Sequence, residues 1–404
     1  MKVLYIVSLF PCWSETFIVR EINALKDMGV DIAILSLKNA NEELVQTDAK
    51  NLYKRVVYPS GPINTFFNAS IAFFEKPLVN TKLLIDIISS LYKRPLSMIK
   101  SIATWWLTLS VVNKIKDLDV AHIHAHWATY PSTSALILSK NLNLPFSFTS
   151  HAHDIFLEDH LLKEKVTESK FSVTISNYNK NRLSKQLDLN LESRMHIVHC
   201  GIDVTEHKFA PDNRNTKNIL AVGRLDHIKG FSVLIDACKI YKEKDSDFKC
   251  YIIGNGPLKT TLQKQININD LSSHVELVGV MPQEQIKKYL SEASIFVLPS
   301  VVTKEGDMDG IPVALMEAMS VGLPVISTTV SGIPELIKNN INGLIVEPHD
   351  PQALSDSMAK IFNDPDLAHK FASNARATIE SDFSIQTETK KLYALFSNQS
   401  SDKV

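Results

Sequence analysis

A chain of 404 residues exceeds what one hydrophobic core usually serves, so two domains of about 200 residues each are expected. Apolar residues make up 45% and charged residues 22%, which excludes a largely disordered or collagenous chain. The 43 basic against 44 acidic residues exclude an overall basic field for holding nucleic acid, so any anion site must be local. Four scattered cysteines, Cys12, Cys200, Cys238 and Cys250, form no Cys-x2-Cys pair and read as reduced thiols of a cytoplasmic protein.

The chain opens with Lys2 and an apolar run to Phe10, followed by Pro11 and Cys12. A lipoprotein signal needs a small residue where Pro11 stands and a longer apolar core, so the run reads as a buried strand. Further strands are expected over 31–37, 121–124, 146–149 and 172–175, which suggests a first Rossmann-like domain. In the first loop, FPCWSETFIVREI, Ser14 is a good N-cap, and Glu15 either supports that cap or meets acceptor hydroxyls beside Thr16.

Residues 66–116 are too long and too helical in period for an ordinary crossover, and they carry Trp105 and Trp106 near Lys93, Arg94 and Lys100. Two readings stand: an interfacial segment on a membrane surface, or helices packed on their own domain. No apolar run is long enough to span a bilayer.

The histidines His122, His124 and His126 alternate along a strand and share one face, but no acid or cysteine accompanies them at a recognisable metal spacing; no metal is expected. His151 follows the next strand, with His153 and Asp154 close behind.

Pro211 and its polar neighbours break the apolar period near 205–217, placing a domain boundary there, with domains of 1–205 and 206–383 and a closing helix about 384–400 that returns to the first. From 218 onward, strands expected over 219–222, 250–253, 275–278, 295–298, 324–326 and 344–346 alternate with helical stretches such as 231–244, as in a second doubly wound unit. In LAVGRLDHIKG the first of these strands exits into a turn at Gly223 flanked by Arg224 and Lys229, cations able to neutralise a departing diphosphate. In YIIGNGPL, Gly254 and Gly256 lack the third glycine of a dinucleotide fingerprint, since Lys259 occupies its place, so no nicotinamide cofactor is expected.

The richest segment is PSVVTKEGDMDGIPVALMEAMSVGLPVISTTVSGIPE, residues 299–335. Pro312 suits the first position of a helix and Gly322 its left-handed stop. The amides of Val313, Ala314 and Leu315 then face an anion, Glu317 can turn back toward a ribose, and Asp309 can reach sugar hydroxyls.

This passage resembles the donor-site signature of glycosyltransferase family 4, Glu-x7-Glu followed by Ala-Met-x-x-Gly-x-Pro-Val and Gly-x-Pro-Glu. The matching residues are Asp309, Glu317, Ala318, Met319, Gly322, Pro324, Val325, Gly332, Pro334 and Glu335. The first acid is Asp where the family has Glu, and Glu305 is a candidate substitute. The wording of 305–319 is similar to the subgroup that builds exopolysaccharides such as colanic acid.

The resemblance implies a GT-B fold, two Rossmann-like α/β domains facing a central cleft, and retaining, metal-independent transfer. A nucleoside diphosphate sugar is the implied donor and a saccharide or polyprenyl-linked saccharide the acceptor. It implies Arg224 and Lys229 on the diphosphate, His151 with Asp154 and Thr149 near the donor sugar or acceptor, and Gly254, Gly256 and Val280 near the nucleotide. Gly310, Ile311 and Pro312 complete the donor loop, while Ser14, Glu15 and Thr16 stand where relatives carry two glycines. The expected location is cytoplasmic, with peripheral contact to the inner face of the membrane. Two competing readings are a non-catalytic sugar-nucleotide-binding scaffold and a nucleotide-sugar epimerase of the same fold.

Overall fold

The computed structural model describes residues 1–12, 15–39, 49, 51–156, 161–211 and 216–397. Its first sheet contains β1 (Lys2–Phe10), β2 (Asp31–Asn39), β3 (Val56–Val57), β4 (His122–His126), β5 (Phe146–Ser150), β6 (Phe171–Thr174) and β7 (Met195–Ile197). All pairs are parallel, in the order β3-β2-β1-β4-β5-β6-β7. Strand β1 lies at the centre, and its side chains alternate between two cores. Leu4 and Ile6 face one and Val3, Tyr5 and Val7 the other, which is why this opening run is apolar throughout.

The second sheet contains β8 (Asn218–Val222), β9 (Lys249–Ile253), β10 (Val275–Gly279), β11 (Ile295–Val297), β12 (Val325–Thr328) and β13 (Leu344–Val346), in the order β10-β9-β8-β11-β12-β13. Both sheets reverse direction of growth beside their first strand, between β1 and β4 and between β8 and β11. In open parallel sheets the crevice at the carboxyl ends of such a pair is where ligands bind.

Every strand expected from the sequence is present within three residues at either end. The short edge strands β3 and β7 were not legible, because two or three residues carry no period of their own.

Two compact units emerge. The first comprises Met1–Ile175, Asn179–His199 and the chain from Thr389; the second comprises Ser176–Tyr178 and Cys200–Glu388. The second unit begins five residues before the expected boundary because Ile202 exchanges backbone hydrogen bonds with the segment near Ser384, donating to Phe383 and accepting from Ile385 at 2.9 Å each. Of the expected boundary residues, 212–215 lie outside the described residues. The last helix, Ile385–Ser397, sets Leu392 and Phe396 into the core of the first unit, where Phe396 meets His122, His124 and Phe171.

Residues 66–116 form helices Pro62–Glu75, Pro77–Leu91, Pro95–Leu109 and Val112–Lys116. Pro62, Pro77 and Pro95 each open a helix at a position that needs no N–H, so the prolines partition the segment. Leu83, Ile87, Trp105 and Leu109 are buried in the first unit's core, whereas Ile63, Phe66, Phe67, Phe74, Leu78 and Leu96 remain more than half exposed. Among the described residues no helix is long and apolar enough to cross a membrane.

Candidate active site

In the second unit the carboxyl ends of β8 and β11 carry the motifs. The turn after β8 is packed onto the loop after β11. Val301 donates to Ile228 at 2.9 Å, and a Cβ on Gly230 (φ +65°) would lie 1.9 Å from the Pro299 carbonyl oxygen. That close approach needs glycine, and it carries Lys229 to the loop preceding the helix Val313–Ser320.

There Lys229 Nζ meets Asp309 Oδ1 at 2.6 Å, while Ser300 donates to Asp309 Oδ2 at 2.7 Å. Asp309 is buried and Lys229 largely so. Glu305 sits on an exposed turn, so the geometry brings Asp309, and not Glu305, to the lysine. Glu317 is buried on the helix and accepts from Gln283 Nε2 at 3.3 Å. Arg224 is well exposed, with Nε 3.5 Å from Asp226. Gly310, Ile311 and Pro312 are buried in the loop that leads into the helix.

Several expectations are corrected. Pro312 is the N-cap and not the first helical residue, because its ψ of 124° is extended. The amide of Leu315 is already bonded to the Pro312 carbonyl at 3.1 Å, leaving Val313 and Ala314 as the amides that precede the first helical hydrogen bond. Gly254 and Gly256 serve loop packing: a Cβ on either would strike the carbonyl oxygen of Gly223 at 1.9 Å or of Leu225 at 2.4 Å. Glu335 is engaged structurally. Its oxygens accept from the amides of Asn177 and Tyr178 at 2.8 Å each and from the Asn177 side chain at 3.0 Å. Gly322 is at φ +77° as expected, and Leu323 N–H to Ala318 and Gly322 N–H to Met319 complete a Schellman stop. Val280 follows β10 and is exposed.

In the first unit, the carboxyl ends of β1, β4 and β5 gather His126, Trp127, His151 and Asp154. His151 is buried beside Trp127 and Phe17, at ring distances of 4.5 and 4.9 Å. Burial, and then the neighbouring His126, hold its imidazole well below the ordinary histidine range, so the ring is neutral. Trp127 has φ +80°, a strained value for a bulky residue. Two buried charges hold that turn: Lys165 Nζ donates to the Ala128 and Thr129 carbonyls at 2.7 and 2.8 Å, and Asp154 accepts from the Ala128 amide at 2.7 Å.

Asp154 also accepts from the His151 amide at 3.0 Å. Burial raises its carboxyl, against backbone hydrogen bonds that pull it down. The acceptor-contact expectation for Asp154 is therefore corrected: its oxygens position the loop. Thr16 is the first residue of the helix Thr16–Asp27 and Glu15 its N-cap, with no side-chain cap bond. Glu15 Oε1 instead accepts from the Trp127 indole at 3.1 Å. Ser14 lies outside the described residues.

One arrangement was invisible in the sequence. Glu21, a turn into that helix, stands 2.9 Å from His126 Nε2, so an acid does accompany the alternating histidines. Ligand atoms of Glu21, His124 and His126 fall within 4.8 Å of one another. The His124 nitrogens are engaged by Ser147 and Thr149 at 2.8 and 3.1 Å, and those of His126 by Glu21 and His151, so internal hydrogen bonds occupy this donor set. A helical residue six places past the cap has no pairing signal with a strand a hundred residues later. The largest open depression, about 760 Å³ and lined by Lys76, Leu78, Lys140 and Pro145, lies at the amino end of β5, away from this chemistry.

Two parallel-sheet units with charged and imidazole groups at the switch-point edges define a glycosyltransferase of the GT-B class. The model for "Glycosyl transferases group 1" matches residues 203–378, and that for "Glycosyltransferase Family 4" matches residues 14–206. The chain is 30% identical over 417 residues to the amylovoran biosynthesis glycosyltransferase AmsK of Erwinia amylovora, covering 95% of this chain and 96% of the relative. It is 30% identical over 421 residues to the putative colanic acid biosynthesis glycosyltransferase WcaL of Escherichia coli (strain K12), covering 98% and 99%. Among solved structures, Anabaena Alr3699/HepE in complex with UDP and glucose superposes with a TM-score of 0.72 at 17% identity, covering 98% of this chain and 99% of that one. The glycosyltransferase from Rickettsia africae gives 0.71 at 20% identity, covering 98% of each chain. The chain belongs to glycosyltransferase family 4.

Proposed function

We propose that the protein moves a sugar from a nucleoside diphosphate sugar to a hydroxyl of a saccharide or polyprenyl-linked saccharide, with retention and without a bound metal, in building a bacterial exopolysaccharide. The observation that carries this reading is the Lys229–Asp309 pair beside the start of the helix Val313–Ser320. A diphosphate there would meet the ammonium, the first-turn amides and, after a side-chain swing, Arg224. Drawing Lys229 onto phosphate would leave Asp309 to accept from a sugar hydroxyl. Glu317 would exchange Gln283 for a ribose. No nucleophile is assigned; the leaving phosphate would take the acceptor proton on the face it departs from. The names of AmsK and WcaL support the exopolysaccharide setting, and HepE with UDP and glucose supports the donor class.

Calorimetry with UDP- and GDP-sugars, followed by turnover with a lipid-linked acceptor, tests the reading. Transfer with retained anomeric configuration in the presence of chelator supports it. Binding without turnover favours a scaffold, and conversion of the donor alone favours an epimerase.

The same reading places the protein at the inner face of a membrane. Between residues 62 and 116 there are seven basic and two acidic side chains, on a chain of net charge -1. These flank the exposed apolar residues of the three proline-started helices, a combination suited to an anionic lipid surface.

A further inference from the structure

We propose that Glu21 and His126 are positioning residues that fix which nitrogen of His151 carries its proton; this rests on the proposed transferase reading, in which His151 faces the donor sugar. Three elements build the chain of groups: β1 supplies Tyr5, the helix Thr16–Asp27 supplies Glu21, and β4 supplies His126. Glu21 Oε1 lies 2.8 Å from the Tyr5 hydroxyl and 2.9 Å from His126 Nε2, and His126 Nδ1 lies 3.2 Å from His151 Nε2.

The order of protons follows from what each atom can do. An ionised carboxylate only accepts, so both of its neighbours must donate. Tyr5 can do so because burial, and then Glu21, keep its hydroxyl well above the usual phenol range. His126 must therefore carry hydrogen on Nε2. A neutral ring protonated there offers only a lone pair at Nδ1, so His151 must donate from Nε2. His151 is left with an acceptor at Nδ1, and a sugar hydroxyl that meets this nitrogen has to be the donor.

No other group near the pair competes for that decision. His124, whose ring centre is 5.4 Å from that of His126, is engaged through its nitrogens with Ser147 and Thr149. Phe17 and Trp127 contact the rings without offering an acceptor nitrogen or oxygen to His151 Nε2. The His151 backbone is held separately, its amide by Asp154 and its carbonyl by Asn179. Backbone and ring packing thus set where the imidazole lies, and His126 with Glu21 sets its tautomer.

The test uses the full chain with 15N-labelled histidine, at about pH 8, where neutral imidazoles prevail. Long-range 1H–15N spectra should give His151 as the Nε2–H tautomer. His126→Asn keeps an acceptor oxygen at the Nδ1 position and should preserve that tautomer; His126→Leu and Glu21→Gln should give mixed tautomers. In transfer assays His126→Leu should lower kcat about tenfold with donor KM within about twofold, and His126→Asn should recover most of the loss. A wild-type Nδ1–H tautomer, or an unchanged His151 spectrum in both His126→Leu and Glu21→Gln, overturns the proposal. Equal kcat in His126→Leu and His126→Asn also overturns it. The spectra decide the tautomer whether or not the chain transfers sugar, so failure of the transferase reading is seen separately as wild-type protein without turnover.

Discussion

The carboxyl edges of the two sheets solve different problems with different chemistry. In the second unit the edge is ionic: Lys229, Asp309, Arg224 and Glu317 hold one another or a neighbouring amide through contacts that a ligand can replace. In the first unit the edge is a buried, polar, hydrogen-bonded set of imidazoles, whose supporting charges, Lys165 and Asp154, are spent on the backbone. An anion is gripped by charges that can be exchanged, while a sugar hydroxyl is read by neutral groups whose orientation cannot drift.

That contrast can be broken at several points, in descending order of expected effect. Gly254→Ala would drive a Cβ to 1.9 Å from the Gly223 carbonyl at a φ of +146°, so a loss of about 3 kcal/mol or more and poor recovery of folded protein are expected in denaturant melts. Lys229→Ala should fold yet lose about a hundredfold in kcat, and Glu317→Ala should lose a comparable amount. Folded variants of both with full transfer rates would sink the assignment of the ionic edge. Glu335→Ala, removing an acceptor of two amides, should lower stability by about 1–2 kcal/mol with little change in donor KM.

The imidazole edge should announce itself in pH. Burial is the first cause that holds His124 and His151 well below the ordinary histidine value, so the unfolded chain binds more protons than the folded one below about pH 6.5. Stability contributed by the neutral rings is complete above that pH and is lost as pH falls toward the folded values, with a limiting slope of about 1.4 kcal/mol per pH unit for each ring. Thermal melts from pH 8 to 5 check this, and His124→Asn should flatten the slope. Smallest of all, Phe67→Asp with Phe74→Asp should weaken binding to anionic vesicles about tenfold while leaving transfer to a soluble acceptor analogue unchanged.

Much of this was legible in the sequence because it depends on local rules. Apolar runs of strand length, the left-handed stop at Gly322 and the polar break before 218 each report a constraint that acts within a few residues. The spacing from Asp309 to Glu317 was equally readable, since a loop and the helix that follows it fix both positions. Pro312 was misplaced by one position because its fixed φ suits either side of a helix start, and only ψ separates the two.

What the sequence by itself determined is the alternation of strands and helices, hence two doubly wound sheets, and the residue types delivered to their carboxyl ends. Tertiary structure alone decided which of those residues meet. It paired Lys229 with Asp309 across eighty positions and set Glu21 on His126 across more than a hundred. It also turned Asp154 and Glu335 from candidate ligand contacts and motif residues into acceptors for backbone amides. The reason is physical: periodicity records which face of an element is apolar, whereas a hydrogen bond between elements depends on sheet order and helix placement, which leave no trace in the spacing of either partner.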